Sequence, residues 1–400
     1  MNKLHNDESL LIFPKFPFIT GYYPSRNQAD IPEFLPFYLG FCVEQGLVFQ
    51  KASAEVDKAL KAVYERGSLL STPIGEGNIN RPLFEEIIEF IAVACGGISG
   101  KSFFEPGCGK GGLLKALRNR GAKRVEGCEP GPQGQLGKVA HGVEIHNEFF
   151  AFPNYSHDFN CVYHYGVLEH IKEPESFLRQ NLEILSPGGL LFASVPGCKM
   201  DFELGNFMAL AHEHYSYFTA DSLIHLMRKA GLQNVEVREF KFSRGILCAW
   251  GNKASGDHPR QDPSTPKEHC RKEQDLLEVF VATSKRNLSA LQARVDARER
   301  EKKTIGFYGA PRALAGLLEF KFPPRHFDGD TLKNGCYFSG SPNPIEPPEN
   351  LIKDPVDELW VLPIYHDRAI RDYLKRKVLP YSHISIYSLL DMMQDSRTVS

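Results

Sequence analysis

Residues Phe104-Glu105-Pro106-Gly107-Cys108-Gly109-Lys110-Gly111 constrain this chain more than any other stretch. A short apolar approach leads into them, and a helical run carrying Leu113, Leu114 and Leu117 leaves them. The next β-like segment, Arg124-Val125-Glu126-Gly127-Cys128, ends at Glu129. Strand, tight glycine turn, helix and a second strand closed by a carboxylate make a nucleotide-binding unit. The glycines let backbone approach the ligand, and the acid accepts from both ribose hydroxyls. A pyrophosphate-binding turn would read Gly-x-Gly-x-x-Gly, which this one does not. Taken alone, a Gly-x-Gly turn also fits an ordinary strand-to-helix connection.

The chain has 400 residues, which suggests two or three domains. Its 42% apolar and 11% aromatic content belongs to a globular protein able to bury sizeable cores. A formal net charge of −2 gives no electrostatic case for a nucleic-acid partner. No run of 18 apolar residues occurs, so a membrane span is not expected. The opening Met-Asn-Lys-Leu-His-Asn-Asp-Glu lacks the order of a signal peptide, and a cytoplasmic location is expected. The nine cysteines are scattered without a C-x-x-C pair, which fits reduced thiols better than a disulfide framework or a metal site. Cys108 and Cys128 read as small buried hydrophobes.

Residues 1–55 are rich in Pro, Phe and Tyr and read as a small irregular or β-rich unit. Residues 54–68 are helical by pattern, and Leu83 to Ala94 forms a second amphipathic helix begun near Asn80-Arg81-Pro82. Residues 101–195 then alternate strand and helix. Strands are expected at Asp158–Tyr163 and Leu190–Val195, with a helix from Pro174 to Leu185 closed by Ser186-Pro187-Gly188-Gly189. That alternation predicts a parallel, doubly wound sheet. A helix at 220–230 and strands at 234–242 and 246–250 follow. A polar, Pro-rich break covers 253–268, and a charged helix covers about 268–300. A second glycine turn, Thr304-Ile305-Gly306-Phe307-Tyr308-Gly309-Ala310, precedes the strand-like Glu358–Pro363, a helix at 366–377 and a last strand at Ile384–Tyr387. The boundaries expected are therefore 1–55, a central domain over 56–252, a linker and helix over 253–300, and a smaller Rossmann-like α/β domain over 301–400.

Two further segments carry chemistry. Tyr165-Gly166-Val167-Leu168-Glu169-His170-Ile171 closes the fourth strand of the first sheet, at the end where open α/β sheets bind ligands. Individually, Glu169 also reads as a helix-start carboxylate and His170 as a surface imidazole. Ala211-His212-Glu213-His214-Tyr215-Ser216-Tyr217-Phe218 has the densest set of proton-transfer groups in the chain. Histidine titrates near neutrality and suits a general base. Histidines at i and i+2 without a third ligand make a poor zinc site, so no metal is expected. The plain alternative is a polar loop before helix 220–230.

The E-P-G-C-G-x-G turn resembles the first motif of class I S-adenosylmethionine methyltransferases, and V-L-E-H resembles their post-strand-four segment. Over most of its length the chain resembles the sugar C-methyltransferases of deoxysugar biosynthesis, which methylate C3 of nucleotide-linked 4-keto-deoxysugars. Their acceptor motif reads roughly Tyr-His-Glu-His followed by an aromatic, matched by His212, Glu213, His214, Tyr215 and Tyr217. Their C-terminal domain carries Gly-Tyr-Gly-Ala and a K-x-G stretch, matched by Phe307-Tyr308-Gly309-Ala310 and Lys333-Asn334-Gly335. The resemblance implies a small N-terminal zinc-binding domain, a class I methyltransferase domain of Rossmann-like α/β fold and a second Rossmann-like domain. Two departures stand out. Where the family's C-x-x-C pair would lie, only Cys42 remains and Gln45 takes the second position, so no zinc is expected there. Ala211 stands where the family has a tyrosine, which leaves the acceptor open.

The same resemblance implies S-adenosyl-L-methionine as cofactor. Glu105, Gly107, Gly109 and Gly111 would cradle its methionine part, Glu129 would hold its ribose, Asn147 or Glu148 would meet its adenine, and Tyr64 with Ser68 would cover it. Tyr64 also fits the apolar face of its own helix. His214 would be the base, oriented and assisted by His212, Glu213 and Tyr215. Tyr217, Tyr308 and Arg312 would meet a nucleotide-sugar, although Arg312 equally fits a solvated surface charge. An O- or N-methyltransferase, or a cofactor-binding protein that has lost its chemistry, are the rival readings. The expected partner is a small molecule, with the protein a monomer or homodimer.

Overall fold

A computed structural model describes residues 11–19, 21–23, 31–66, 81–132, 134, 142–241, 245–255, 267–311, 313–378 and 383–398. Ser68, Arg312 and most of the 253–268 break lie outside these residues. Tyr64 falls within the helix Ala54–Arg66, but its side chain also lies outside the description. By its internal contacts the chain divides into two compact units. The first comprises Gly40–Lys199 and Glu213–Asp275, the second Ser9–Leu39, Met200–His212 and Leu276–Ser400.

The first unit is built on a seven-stranded sheet. In chain order its strands are β1 (Ser102–Pro106), β2 (Arg124–Cys128), β3 (Glu144–His146), β4 (Phe159–Tyr165), β5 (Leu185–Pro196), β6 (Leu232–Glu239) and β7 (Ile246–Lys253). Their spatial order is 3-2-1-4-5-7-6, with β1 to β5 parallel and β7 antiparallel to both its neighbours. Successive strand residues point to opposite faces. Phe104, Val162 and Leu191 therefore join one buried cluster, and Phe103, Cys161 and Phe192 another. Both faces are covered, which is why these strands read as nearly unbroken apolar runs. Phe177 and Leu178 of the helix Pro174–Ile184 and Leu223, Leu226 and Met227 of the helix Ala220–Ala230 pack on the first face. Ile87, Ile88 and Ile91 of the helix Arg81–Ala94 and Leu113, Leu114 and Leu117 of the helix Gly112–Asn119 pack on the second. Thr219 and Ser222 form a reciprocal capping box that starts the helix Ala220–Ala230, and Gly231 at φ 111° ends it.

The second unit holds a five-stranded parallel sheet of Ile305–Tyr308, Arg325–Phe327, Ile345–Glu346, Glu358–Val361 and Ser385–Ser388. The spatial order places Ile345–Glu346, Arg325–Phe327, Ile305–Tyr308, Glu358–Val361 and Ser385–Ser388 side by side. The order reverses between Ile305–Tyr308 and Glu358–Val361, the switch point of a doubly wound sheet.

The first 55 residues are β-rich, as expected, but they do not stand as a unit of their own. Strands run over Leu11–Pro17, Tyr22–Tyr23, Phe34–Cys42 and Leu47–Gln50, and the division between units falls at Leu39/Gly40. So short a segment cannot close a core by itself. Its buried Phe16, Phe18 and Phe37 find partners within the second unit instead.

Glu358 anchors the second unit. Its carboxylate is almost fully buried, accepts from Arg294 Nε at 2.9 Å and Nη2 at 3.1 Å, and from the Trp360 indole at 3.1 Å. Arg298 Nε lies 2.6 Å away as well. Removing one member of a buried ion pair strands the others, at a cost of about 3–5 kcal/mol. Glu358→Ala is therefore expected to lower the stability of this unit by about that amount in chemical denaturation. An unchanged midpoint would remove Glu358 from this role.

Candidate active site

The glycine turn lies at the carboxyl end of β1, with Gly107, Gly109 and Gly111 at φ 67°, 53° and 71°. Only glycine adopts three such left-handed turns in five residues at low cost. Glu129, just past β2, locks the turn: its two oxygens accept from Gly109 N at 3.1 Å and Gly131 N at 2.8 Å. Asn147, past β3, donates to the Glu129 and Gly131 carbonyls at 2.8 and 3.0 Å. It braces the acid loop. Glu148 accepts from the Tyr155 hydroxyl at 2.9 Å, and the Tyr155 ring stacks on Phe150. Val143 to Glu148 line an open groove beside this acid loop. Glu105 is buried with one carboxyl oxygen, Oε2, lacking a hydrogen-bond partner. Burial, with the Glu129 charge nearby, holds its pKa well above the ordinary range. The expected cofactor residues Glu105, Gly107, Gly109, Gly111, Glu129 and Glu148 thus meet around one sheet edge.

The second group gathers at the end of β4. Leu168–His170 is a single 3-10 turn, and its loop is tied to the H-E-H segment by two hydrogen bonds. Tyr215 N donates to Glu169 O at 2.7 Å, and His170 Nδ1 donates to Glu213 O at 2.7 Å. Burial lowers His170 to about 4, so the ring is neutral. Its one proton serves the Glu213 carbonyl, which leaves Nε2 as an acceptor. The His170 and His214 rings meet edge to face at 5.0 Å, and the His214 and Tyr217 rings lie 6.1 Å apart. Glu169, His170 and His214 each bring one ligand-type atom within 4.8 Å of the others'. This trio comes from two segments, so the i,i+2 spacing considered in the sequence did not address it.

Glu169 and Glu213 are both buried, and among the described residues Glu169 Oε2 and both Glu213 carboxyl oxygens have no hydrogen-bond partner. Desolvation raises each to about 8. Both acids are therefore largely protonated at neutral pH. Glu169 is neither a helix-start carboxylate on the surface nor a solvated group, and His170 is no surface imidazole.

Two residues expected to assist His214 are placed elsewhere. His212 is counted with the second unit, fully buried among Phe16, Phe18 and Phe37 at ring distances of 5.6, 5.5 and 5.0 Å. Burial lowers it to about 4, so it stays neutral. His212 and Glu213 form a turn rather than a strand, and the aromatic N-terminal strands claim the His212 ring. Tyr215 gives its hydroxyl to Asp57 Oδ1 at 2.8 Å, which turns it away from an acceptor oxyanion. Tyr217 is buried on the short strand Ser216–Tyr217, opposite Val48. Tyr308 ends the first strand of the second unit's sheet, with Gly309 at φ 86° next to it. Asp57 and Lys172 escaped the sequence reading. Each looks like one more helix or loop charge, and only the fold brings them to Tyr215.

Residues 79–237 match the family model described as a methyltransferase domain. The chain is 28% identical over 201 residues to the C-methyltransferase NovU of Streptomyces niveus, covering 47% of each protein. It is 29% identical over 162 residues to the ubiquinone biosynthesis O-methyltransferase of Ruegeria pomeroyi, covering 36% of this chain and 65% of that one. The chain therefore spans about half of the first relative's length and just under two thirds of the second's. Among solved structures, the 1,6-didemethyltoxoflavin-N1-methyltransferase of Burkholderia thailandensis shares 14% identity at a TM-score of 0.39, covering 58% of this chain and 99% of that one.

The matched region is an S-adenosylmethionine-dependent methyltransferase domain of Rossmann-like α/β fold, with S-adenosylmethionine as its cofactor. The residues present fit that cofactor. Glu105 offers a buried, unpartnered carboxyl oxygen to a cationic group. Around Gly109 a Cβ would meet no protein atom within 4 Å, which leaves room for a ligand against the backbone. The Glu129 carboxylate, fixed to the turn through Gly109 N and Gly131 N, is the kind of acid such a unit uses for ribose hydroxyls.

The two glycines separate packing from binding. A Cβ on Gly107 would sit 2.5 Å from Val167 Cγ2, so Gly107→Ala should lower the melting temperature markedly. Gly109→Ala should cost only the left-handed backbone penalty, about 1–2 kcal/mol, yet weaken S-adenosylmethionine binding by calorimetry at least as much. Equal melting temperatures for the two variants would overturn this assignment. The raised carboxyls give a second expectation. A folded pKa near 8 against about 4.5 when unfolded contributes stability that is fully present below 4.5 and lost as pH rises through 8. Melting temperature should therefore fall from pH 6 to pH 9, and Glu213→Gln, which cannot ionise, should flatten that fall.

Proposed function

We propose that this chain is a C-methyltransferase that acts on a carbon beside a ketone, most concretely C3 of a nucleotide-linked 4-keto-deoxysugar. The observation that carries the reading is the His170–His214 pair at the carboxyl end of β4, on two segments that each also carry a protonated, buried carboxyl. A C–H bond next to a ketone becomes acidic enough to break when a base and an oxyanion donor are in place. His214 takes that proton. The neutral His170, with Nδ1–H fixed on the Glu213 carbonyl, packs edge to face against His214 at 5.0 Å and steadies its ring. Glu213, protonated and without a partner for its carboxyl, donates to the oxygen on which negative charge develops. Glu169 stays uncharged beside His170. His212 takes no part, and Tyr215 gives its hydroxyl to Asp57 rather than to the acceptor. S-adenosylmethionine, when bound, supplies an electrophilic methyl group, which leaves approach geometry as the protein's main contribution. Taken by itself, the second unit reverses its strand order at the Tyr308-Gly309 turn, and we assign a nucleotide-binding role to that turn.

The Streptomyces relative's name, a C-methyltransferase, favours carbon as the acceptor atom, whereas the ubiquinone relatives' names favour oxygen. A phenolic or alcoholic oxygen needs its own proton removed but no enolate. An O-methyltransferase would therefore leave acceptor C–H bonds unexchanged.

The test is a methyl-transfer assay with S-adenosylmethionine and a panel of nucleotide 4-keto-6-deoxysugars, run in parallel in deuterium oxide. The expected outcome is deuterium uptake at the carbon beside the ketone and one methyl gained on carbon. Loss of the general base typically costs about 100- to 10,000-fold, so His214→Ala should abolish both within detection. Methyl transfer to oxygen, with no exchange at carbon, would replace this reading with the O-methyltransferase one.

A further inference from the structure

Asp57 lies one turn into the helix Ala54–Arg66, whose start is fixed by Ser53: its hydroxyl accepts from Val56 N at 3.2 Å and its carbonyl from Asp57 N at 3.0 Å. From that anchored position the Asp57 carboxylate reaches two loops at once. Oδ1 accepts from the Tyr215 hydroxyl at 2.8 Å. Oδ2 accepts from Lys172 Nζ at 2.6 Å, and the same ammonium lies 5.9 Å from the centre of the Tyr215 ring. Tyr215 directly follows His214, and Lys172 is two residues past His170. One side chain therefore bridges the segments that carry the two imidazoles, alongside the two hydrogen bonds that Tyr215 N and His170 Nδ1 donate to the Glu169 and Glu213 carbonyls.

We infer that Asp57 is a positioning residue, which sets the spacing of His170 and His214 by clamping Tyr215 and Lys172 to one rigid helix end. It meets neither imidazole, so its effect runs entirely through its two partners. The inference rests on the proposed role of the histidine pair. The Asp57–Lys172 ion pair is partly exposed, with Lys172 59% and Asp57 35% accessible, so by itself it adds little to stability. A purely structural role would therefore show as a small change in melting temperature and nothing else. A positioning role acts on geometry, where displacement of about 1 Å costs on the order of 100-fold in rate.

The full chain is compared as wild type, Asp57→Asn, Asp57→Ala, Tyr215→Phe and the Asp57→Ala/Tyr215→Phe double variant. Three quantities are measured: imidazole nitrogen resonances without acceptor, S-adenosylmethionine affinity, and deuterium exchange into the ketosugar that the wild type turns over. The expected result is shifted His170 and His214 resonances and unchanged cofactor affinity. The exchange kcat should fall by on the order of 100-fold, with KM within about twofold. Because both residues act through one hydrogen bond, the double variant should be no slower than the slower single. Asp57→Asn keeps an acceptor for Tyr215 and loses the charge for Lys172, so it should recover part of the rate. It also carries the comparison if Asp57→Ala does not fold. Unmoved imidazole resonances overturn the inference, as does a kcat within about twofold of wild type or single effects that multiply in the double variant. If the wild type exchanges no ketosugar, the functional reading fails by itself. The resonances then decide on Asp57 alone: moved, the clamp stands; unmoved, it falls.

Discussion

Two hydrogen bonds of 2.7 Å, from Tyr215 N to Glu169 O and from His170 Nδ1 to Glu213 O, hold together everything the candidate active site needs. They join segments more than forty residues apart in the chain, and each uses a main-chain carbonyl. The first fixes the backbone beside both histidines. The second fixes a tautomer, since a neutral ring that donates from Nδ1 must accept at Nε2. Without them the 3-10 turn at Leu168–His170 and the H-E-H segment would be two loops on the end of a sheet. With them, the two segments that each carry an imidazole and a buried acid are joined.

The sheet makes that junction possible. Strands β1, β4 and β5 lie side by side and in parallel, so their carboxyl ends open on one edge, where the glycine turn and the 168–170 turn both emerge. Val167 shows how closely the two turns are packed, because its side chain fills the space a Cβ on Gly107 would need. Cofactor turn and imidazole turn are thus neighbours by construction, and the backbone conformation of one depends on the side-chain volume of the other.

Much of this was legible in the sequence. The glycine turn, Glu129, the βαβ alternation and both sheets follow from local pattern, because positive φ, helix starts and buried strands leave marks within a few residues. His214 stood out for the same reason. What the sequence hid was direction and distance. His212 and His214 look equivalent in H-E-H, yet one ring is enclosed by Phe16, Phe18 and Phe37 while the other meets His170. Tyr215 looked like a donor to substrate until Asp57, 158 residues away, claimed its hydroxyl. The N-terminal segment was read as a separate unit because its composition changes there, but composition says nothing about whose core a phenylalanine enters. Burial of Glu169 was equally invisible, since a single glutamate in a short polar stretch carries no periodicity.

The protonated state of Glu169 and Glu213 has a consequence for what can enter. Two ionised carboxylates beside the imidazoles would set up a negative potential in a poorly screened space, and any anionic ligand would have to work against it. Held neutral by their own burial, they remove that barrier while keeping their ability to donate hydrogen bonds. The surroundings of these two carboxyls are thus polar without being acidic. In a solution alkaline enough to strip their protons, the same two buried acids become negative and that potential appears.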